Sequence, residues 1–220
     1  MTRPVRVLLV DDDPLVRAGL RLMLGGAPDI EVVGEAVDGA AVPDQVRRTG
    51  PDVVLMDVRM PVVDGIAATR ALGAGPAVIV LTTFDADATV VEALRAGAAG
   101  FLLKHTPPEQ IVEAVRRAAA GEPVLSPSVI RTLIEHVAAG GDRAGSSRRD
   151  RAREKLAVLS EREREVAAAV AAGLSNGDIA ERLFMSVGTV KAHISSALAK
   201  LDLTNRIQLA LLAHDASDAS

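Results

Sequence analysis

The chain has 220 residues, 49% of them apolar, enough for one or two domains with a sizeable core. Three Phe are the only aromatic residues and there is no Cys, which argues against base-stacking platforms and excludes disulfides, thiol nucleophiles and Cys-ligated zinc. The net charge of −4 hides an asymmetry: residues 1–120 carry 12 basic and 16 acidic side chains, residues 143–206 carry 12 basic and 8 acidic. An acidic first half suits a cation site and a basic second half suits a surface that meets phosphates.

In chain order, short apolar runs at Val5–Val10, Ile30–Ala36, Asp52–Met56, Ala77–Leu81 and Gly100–Leu103 predict buried strands. Helical stretches follow them at about Leu15–Leu24, Ala40–Arg48, Ile66–Leu72, Ala86–Ala96 and Glu109–Ala119. Five such units predict an α/β fold: a five-stranded, doubly wound parallel sheet whose ligand crevice lies beyond the carboxyl ends of the strands. The domain limits expected are 1–120 for this part, 121–155 for a linker with one helix (Val129–Ala138), and 156–220 for a smaller all-α domain. Gly140–Ser147 and the charged stretch up to Lys155 lack an apolar stripe and read as flexible linker. Four helices are expected in the last domain. A Ser160–Glu163 capping box opens the first, Asn176–Phe184 forms the second, Ser186 caps the third, and Arg206–Ala213 forms the fourth. No leader peptide and no membrane-spanning run is read from the sequence, so a cytoplasmic protein with no membrane partner is expected.

The polar residues of the first half fall at strand ends. Asp11, Asp12 and Asp13 follow the first strand, Asp57 ends the third, Thr82 and Thr83 end the fourth and Lys104 ends the fifth. Any one of these could simply cap a strand or helix, and Asp13, which precedes Pro14, is expected to cap the first helix. Together they describe one crevice in which several carboxylates need a counter-charge. Mg²⁺ suits such a set, because it binds a few carboxylates and leaves positions for water and phosphate oxygens. A carboxylate can attack phosphorus to give an aspartyl-phosphate, with Lys104 and Thr82 holding the phosphoryl oxygens.

Val10-Asp11-Asp12, Met56-Asp57-Val58-Arg59-Met60-Pro61, Asp64-Gly65, Leu81-Thr82-Thr83 and Gly100-Phe101-Leu102-Leu103-Lys104 together resemble the CheY-like receiver domain over residues 5–120. The resemblance implies Asp57 as phosphoacceptor, with Thr82 and Lys104 contacting the phosphoryl group and Thr82 and Phe101 forming the switch pair. It also implies Mg²⁺ (or Mn²⁺) held by Asp12, Asp57 and the Arg59 backbone carbonyl, with Asp11 acting through water. Arg59 and Phe84 fall at positions that tune autodephosphorylation, and their bulk implies a slowly hydrolysing phosphoform. His105 stands where many receivers carry proline.

In the third C-terminal helix Val190, Ile194, Leu198 and Leu201 make a buried stripe. Thr189, Lys191, Ala192, Ser195 and Ser196 form the opposite face, small or hydrogen-bonding, as suits a helix entering the major groove. Leu159-Ser160-Glu161-Arg162-Glu163, Ala172-Gly173-Leu174-Ser175-Asn176, Ile179-Ala180 and Ser186, followed by Thr189-Val190-Lys191-Ala192-His193 and Lys200-Leu201, resemble the LuxR-type DNA-binding domain. With the receiver, the whole chain resembles the NarL/FixJ subfamily of response regulators. That implies that Lys191 and Ala192 face bases or backbone in the major groove, that His193 supports phosphate contact or packing, and that the last helix, headed by Arg206, contributes to dimerisation. Ser186, Thr189 and Ser195 complete the expected DNA surface, although Ser195 stands near where many members place a cation, so one phosphate contact is expected to be lost. The linker arginines Arg148, Arg149, Arg151 and Arg153 are expected to be solvated.

The function expected from all of this is a two-component regulator. A sensor histidine kinase phosphorylates Asp57, and the phosphorylated chain forms a homodimer, binds double-stranded promoter DNA and regulates transcription, with RNA polymerase as a further partner. The alternative keeps the fold and leaves the receiver unused, with DNA binding independent of phosphorylation. An enzyme is disfavoured: Asp57-dependent phosphohydrolases need a second carboxylate two residues on, where this chain has Arg59.

Overall fold

The structure is a computed structural model and describes residues 3–73, 75–83, 87–125 and 145–217. Contacts divide the chain into two units, Met1–Ile130 and Arg131–Ser220, each with its own apolar core. The first unit runs β1 (Val5–Val10), α1 (Pro14–Gly25), β2 (Ile30–Ala36), a 3-10 turn (Gly39–Ala41) leading into α2 (Val42–Thr49), and β3 (Val53–Asp57). It continues with α3 (Gly65–Leu72), β4 (Ala77–Thr82), α4 (Asp87–Ala96), β5 (Gly100–Leu103), α5 (Pro108–Ala119) and β6 (Val124–Leu125). All strand pairs are parallel, in the order β2-β1-β3-β4-β5-β6.

The five anticipated strands are present. The sixth, β6, extends the sheet beside β5 and was not anticipated, since two residues after Pro123 are too short to show a period. β3 is buried at every position, as a central parallel strand covered by helices on both sides must be. Val7, Leu9, Leu55, Ile79 and Leu81 point to one face and pack with Leu20 and Leu24 of α1 and Ile111 and Val115 of α5. Alternation sends Leu8, Val10, Val54, Met56 and Val80 to the other face, where they are equally buried. β3 and β4 each run one residue further than expected, so that Asp57 and Thr82 are the last residues of their strands.

The second unit comprises α6 (Gly145–Leu156), α7 (Glu161–Ala171), α8 (Asn176–Arg182), α9 (Val187–Leu201) and α10 (Arg206–Ser217). Residues 145–156, expected as part of a flexible linker, are helical. The narrow apolar edge of α6 is buried through tertiary packing on α10: Ala152 is 2% exposed and Leu156 joins the core. A stripe that narrow leaves almost no periodic signal. The helix expected at Val129–Ala138 and the side chain of Phe84 lie outside the described residues.

α7 begins at the anticipated capping box, with the Ser160 N–H donating to Glu163 Oε2 at 2.7 Å and the Glu163 N–H donating to Ser160 Oγ at 3.3 Å. Glu163 also receives the Ser196 hydroxyl at 2.7 Å and the Lys200 ammonium at 2.8 and 2.7 Å. Ser196 therefore turns toward the core side of α9, not the outer face expected of it, because a buried carboxylate across the interface needs its proton. These partners, Lys200 foremost, hold the Glu163 carboxyl at about 2, below its usual 4.5. A depressed carboxyl stabilises the fold fully above its unfolded value and loses that contribution as pH falls through the folded one. The stability of the second unit is thus expected to fall between pH 4.5 and about 2, by circular-dichroism melting of the full chain. Glu163→Gln removes that dependence and costs about 1.5–3 kcal/mol at neutral pH, the range for lost charge-assisted hydrogen bonds.

Candidate functional site

The carboxyl ends of β1, β3, β4 and β5 bring together the residues that the sequence assigned to them. Asp11 and Asp57 are buried and Asp12 is exposed, and one oxygen from each of the three lies within 4.8 Å of the others. Lys104 Nζ sits 2.7 Å from Asp11 Oδ2 and 3.1 Å from Asp57 Oδ1. Burial pushes the Asp57 carboxyl above its ordinary value, Lys104 opposes that push and the nearby Asp11 charge adds to it. Burial would lower the lysine, but its bonds to Asp11 and Asp57 outweigh burial and raise it, so Lys104 is a firm cation. Among the described residues the ion pairs of Asp11 and Asp57 set Lys104 against the three carboxylates, which leaves negative charge to be compensated. A hard, oxygen-only donor set of this kind fits a divalent cation.

Neighbouring residues complete the pocket. Thr82 is 4% exposed and Phe101, on the adjacent strand, is fully buried. Asp13 caps α1 as anticipated, accepting the Leu15 N–H at 2.8 Å, and its own N–H donates to Asp11 Oδ1 at 2.9 Å. That second bond orients Asp11. Arg59 is exposed and lies in the loop between β3 and α3.

That loop is held by residues to which the sequence assigned no role. At its neck the Gly65 N–H donates to Val58 O at 2.9 Å, and a Cβ on Gly65 would stand 1.9 Å from Asp57 O, so only glycine allows the approach. At its tip Asp38 Oδ2 accepts the N–H groups of Val62 and Val63 at 2.9 and 3.3 Å, while Oδ1 accepts the Ala40 N–H at 2.7 Å. The Gly39 N–H closes the clamp on Val63 O at 3.2 Å. The Arg59 carbonyl lies between neck and tip. The pair Asp38-Gly39 after a strand was the available signal, but it reads as an ordinary turn until the distant loop is in place.

In the second unit Ser186 caps α9, accepting the Thr189 N–H at 3.0 Å, and the two hydroxyls are 2.8 Å apart. Ser186, Thr189, Lys191, Ala192 and Ser195 are all exposed, His193 is half-buried, and Val190 and Ile194 are buried beneath them. Apart from Ser196, the stripe and the outer face thus fall where the sequence placed them. Arg206 is different: it is 7% exposed, and its guanidinium donates to Asn176 Oδ1 and to Leu174 O. The side chain expected at a dimer surface is an internal clamp between α8 and α10, because the Leu174 carbonyl before α8 and the Asn176 amide oxygen at its first residue need a buried donor.

Two outcomes follow from this geometry. A buried carboxyl held above its ordinary value costs stability once pH rises past that value. Asp57→Asn is therefore expected to melt higher than the parent chain in a chelator at neutral pH, and divalent cation to narrow the gap, both by calorimetry. Asp38→Ala frees the loop tip and is expected to weaken Mg²⁺ binding about tenfold in isothermal titration, within the range for lost outer-shell support of a metal site. The Val62 and Val63 amides should lose hydrogen-exchange protection in the same variant.

Comparison with known proteins identifies both domains. Residues 7–116 match the family described as response regulator receiver domain, and residues 157–213 match the bacterial regulatory proteins of the luxR family. The transcriptional regulatory protein LiaR of Bacillus subtilis is 39% identical over 96% of this chain and 97% of its own length. The nitrate/nitrite response regulator protein NarP of Escherichia coli is 39% identical over 95% of this chain and 94% of its own. Among solved structures, the response regulator ChrA of a heme-sensing two-component system has a TM-score of 0.53 at 39% identity, covering 97% of this chain and 98% of that one. Salmonella typhimurium RcsB has a TM-score of 0.57 at 28% identity, covering 96% and 98%. No helix among the described residues is long and apolar enough to cross a membrane. The chain belongs to the two-component response regulators that join a receiver domain to a LuxR-type DNA-binding domain, a family of transcription regulators.

Proposed function

We propose that Asp57 is the phosphoacceptor of this regulator and that its phosphorylation controls DNA binding by α9. The observation that carries the reading is Lys104 bridging Asp11 and Asp57 at the strand ends, with Thr82 at the end of the adjacent strand. Asp12, Asp57 and the Arg59 carbonyl would hold Mg²⁺ or Mn²⁺, with Asp11 acting through water, and the ion when bound neutralises carboxylate and phosphoryl charge. An Asp57 carboxylate oxygen attacks the phosphorus of a phosphohistidine on a sensor kinase, and the nitrogen–phosphorus bond breaks as the acyl phosphate forms. Lys104 then trades its bond to Asp57 for one to a phosphoryl oxygen, and the Thr82 hydroxyl donates to another. The Thr82 and Phe101 side chains carry the change to the receiver surface as a shift between two arrangements. The bulk of Arg59 slows attack by water on the acyl phosphate. The receiver performs this phosphoryl transfer and its own dephosphorylation, and no other reaction.

The domain limits assigned are 1–120 for the receiver, 121–155 for the connecting segment, whose last part is α6, and 156–220 for the DNA-binding domain. Ser186, Thr189, Lys191, Ala192, His193 and Ser195 make the DNA surface. A homodimer places two copies of α9 about one helical turn of DNA apart, ~34 Å. RcsB, described as dimers bound to DNA, supports that arrangement by likeness. α10 supplies the dimer contact through side chains other than the buried Arg206. The regulator works in the bacterial cytoplasm, where RNA polymerase is its further partner.

The test uses the full chain and acetyl phosphate as donor. The parent chain is expected to incorporate one phosphoryl group, seen by mass spectrometry, and to shift promoter fragments at lower protein concentration once phosphorylated. Asp57→Asn should do neither. If Asp57→Asn binds as tightly as the phosphorylated parent, the receiver is unused and binding is constitutive.

A further inference from the structure

Phe184 has the attributes of a contact residue and none of a core residue. It is 97% exposed, in a chain whose other described phenylalanine, Phe101, is fully buried. Its φ of +54° lies in the left-handed region. That conformation is disfavoured for an L-residue with a Cβ relative to the right-handed one, and glycine adopts it freely. The turn itself explains the conformation. α8 ends as the Met185 N–H donates back to Ala180 O at 2.9 Å, while Met185 packs into the core. This is the helix-ending motif in which the residue just past the helix is left-handed and is usually glycine. The turn explains the backbone and leaves the phenyl ring unaccounted for. Among the described residues of the second unit none covers the ring, so the folded unit bears both the backbone cost and the exposure of the aromatic surface.

The position of the ring indicates what would cover it. Phe184 lies two residues before Ser186, the cap of α9, and Val187 in the first turn of α9 is 45% exposed. The ring therefore adjoins the end of α9 that leads into the major groove, continuous with the exposed Ser186, Thr189 and Lys191. An apolar side chain at such a place has one specific target on a base edge, the C5-methyl group of thymine. We infer that Phe184 is a DNA-contact residue that packs on a thymine methyl beside the α9 footprint and so favours A·T pairs at one position of each half-site. The inference rests on α9 being the groove-reading helix.

The experiment uses the full chain phosphorylated with acetyl phosphate, and a duplex recovered by selection from random sequence with that protein. Phe184→Gly satisfies the left-handed backbone, so the variant is expected to melt at or above the parent temperature. It should nevertheless bind the selected duplex about fivefold more weakly, the effect of losing one buried methyl-sized contact. Synthesising the duplex with deoxyuridine for thymidine, position by position, removes only the methyl groups. One such position should weaken the parent about fivefold and leave Phe184→Gly unchanged. Equal binding of variant and parent, or equal sensitivity of both to every methyl removal, overturns the assignment. Lys191→Ala serves as the reference arm: if it loses affinity while Phe184→Gly does not, α9 still reads DNA and only the Phe184 contact fails. If Lys191→Ala binds as the parent does, or selection recovers no duplex, the reading of α9 fails and the Phe184 assignment fails with it.

Discussion

Lys104 between Asp11 and Asp57 is the interaction on which the receiver depends. Two buried carboxylates side by side repel each other and are costly to remove from water. The lysine, reaching both at hydrogen-bond distance, makes the arrangement tolerable without resolving it. The Asp57 carboxyl remains displaced upward while Lys104 stays a cation. Residual negative charge beside a positive group fits a divalent cation, because such an ion relieves a tension already present. Full neutralisation would be more stable and would leave nothing to be gained by binding.

The parallel sheet makes this constellation possible. Every strand in it ends at the same side, so acidic, hydroxyl and basic residues at the ends of β1, β3, β4 and β5 converge without any local motif linking them. The loops then refine the placement. Asp13 orients Asp11 from the next turn of chain, while Asp38 and Gly65 hold the β3–α3 loop from its tip and neck. None of these residues touches the reacting atoms in the reading proposed. Each fixes a group that does.

The second unit solves a different problem with the same means. It is a small helical domain with no Phe, Tyr or Trp in its core, so directional bonds between helices locate its parts. Glu163 ties the start of α7 to α9 through Ser196 and Lys200, and Arg206 ties the start of α8 to α10. With polar groups turned inward at those points, the outer face of α9 has, among the described residues, no internal hydrogen-bond partner other than the Ser186–Thr189 cap. A helix fixed from behind and open in front can be inserted into a groove without rearrangement of its own domain.

Local patterns in the amino-acid order determined the alternating strands and helices of the first unit, the strand-end positions of Asp11, Asp12, Asp57, Thr82 and Lys104, the capping box at Ser160, and the buried stripe of α9. Each is a matter of period or short spacing, set by backbone geometry alone. The tertiary structure decided what depends on residues far apart in the chain. It made α6 a helix because α10 covers Ala152, drew Ser196 inward to a carboxylate 33 positions away, and buried Arg206 on Asn176 at a separation of 30. It also gave Asp38 a loop to hold. A buried polar group must find its partner wherever the fold supplies one, and no local pattern encodes where that is.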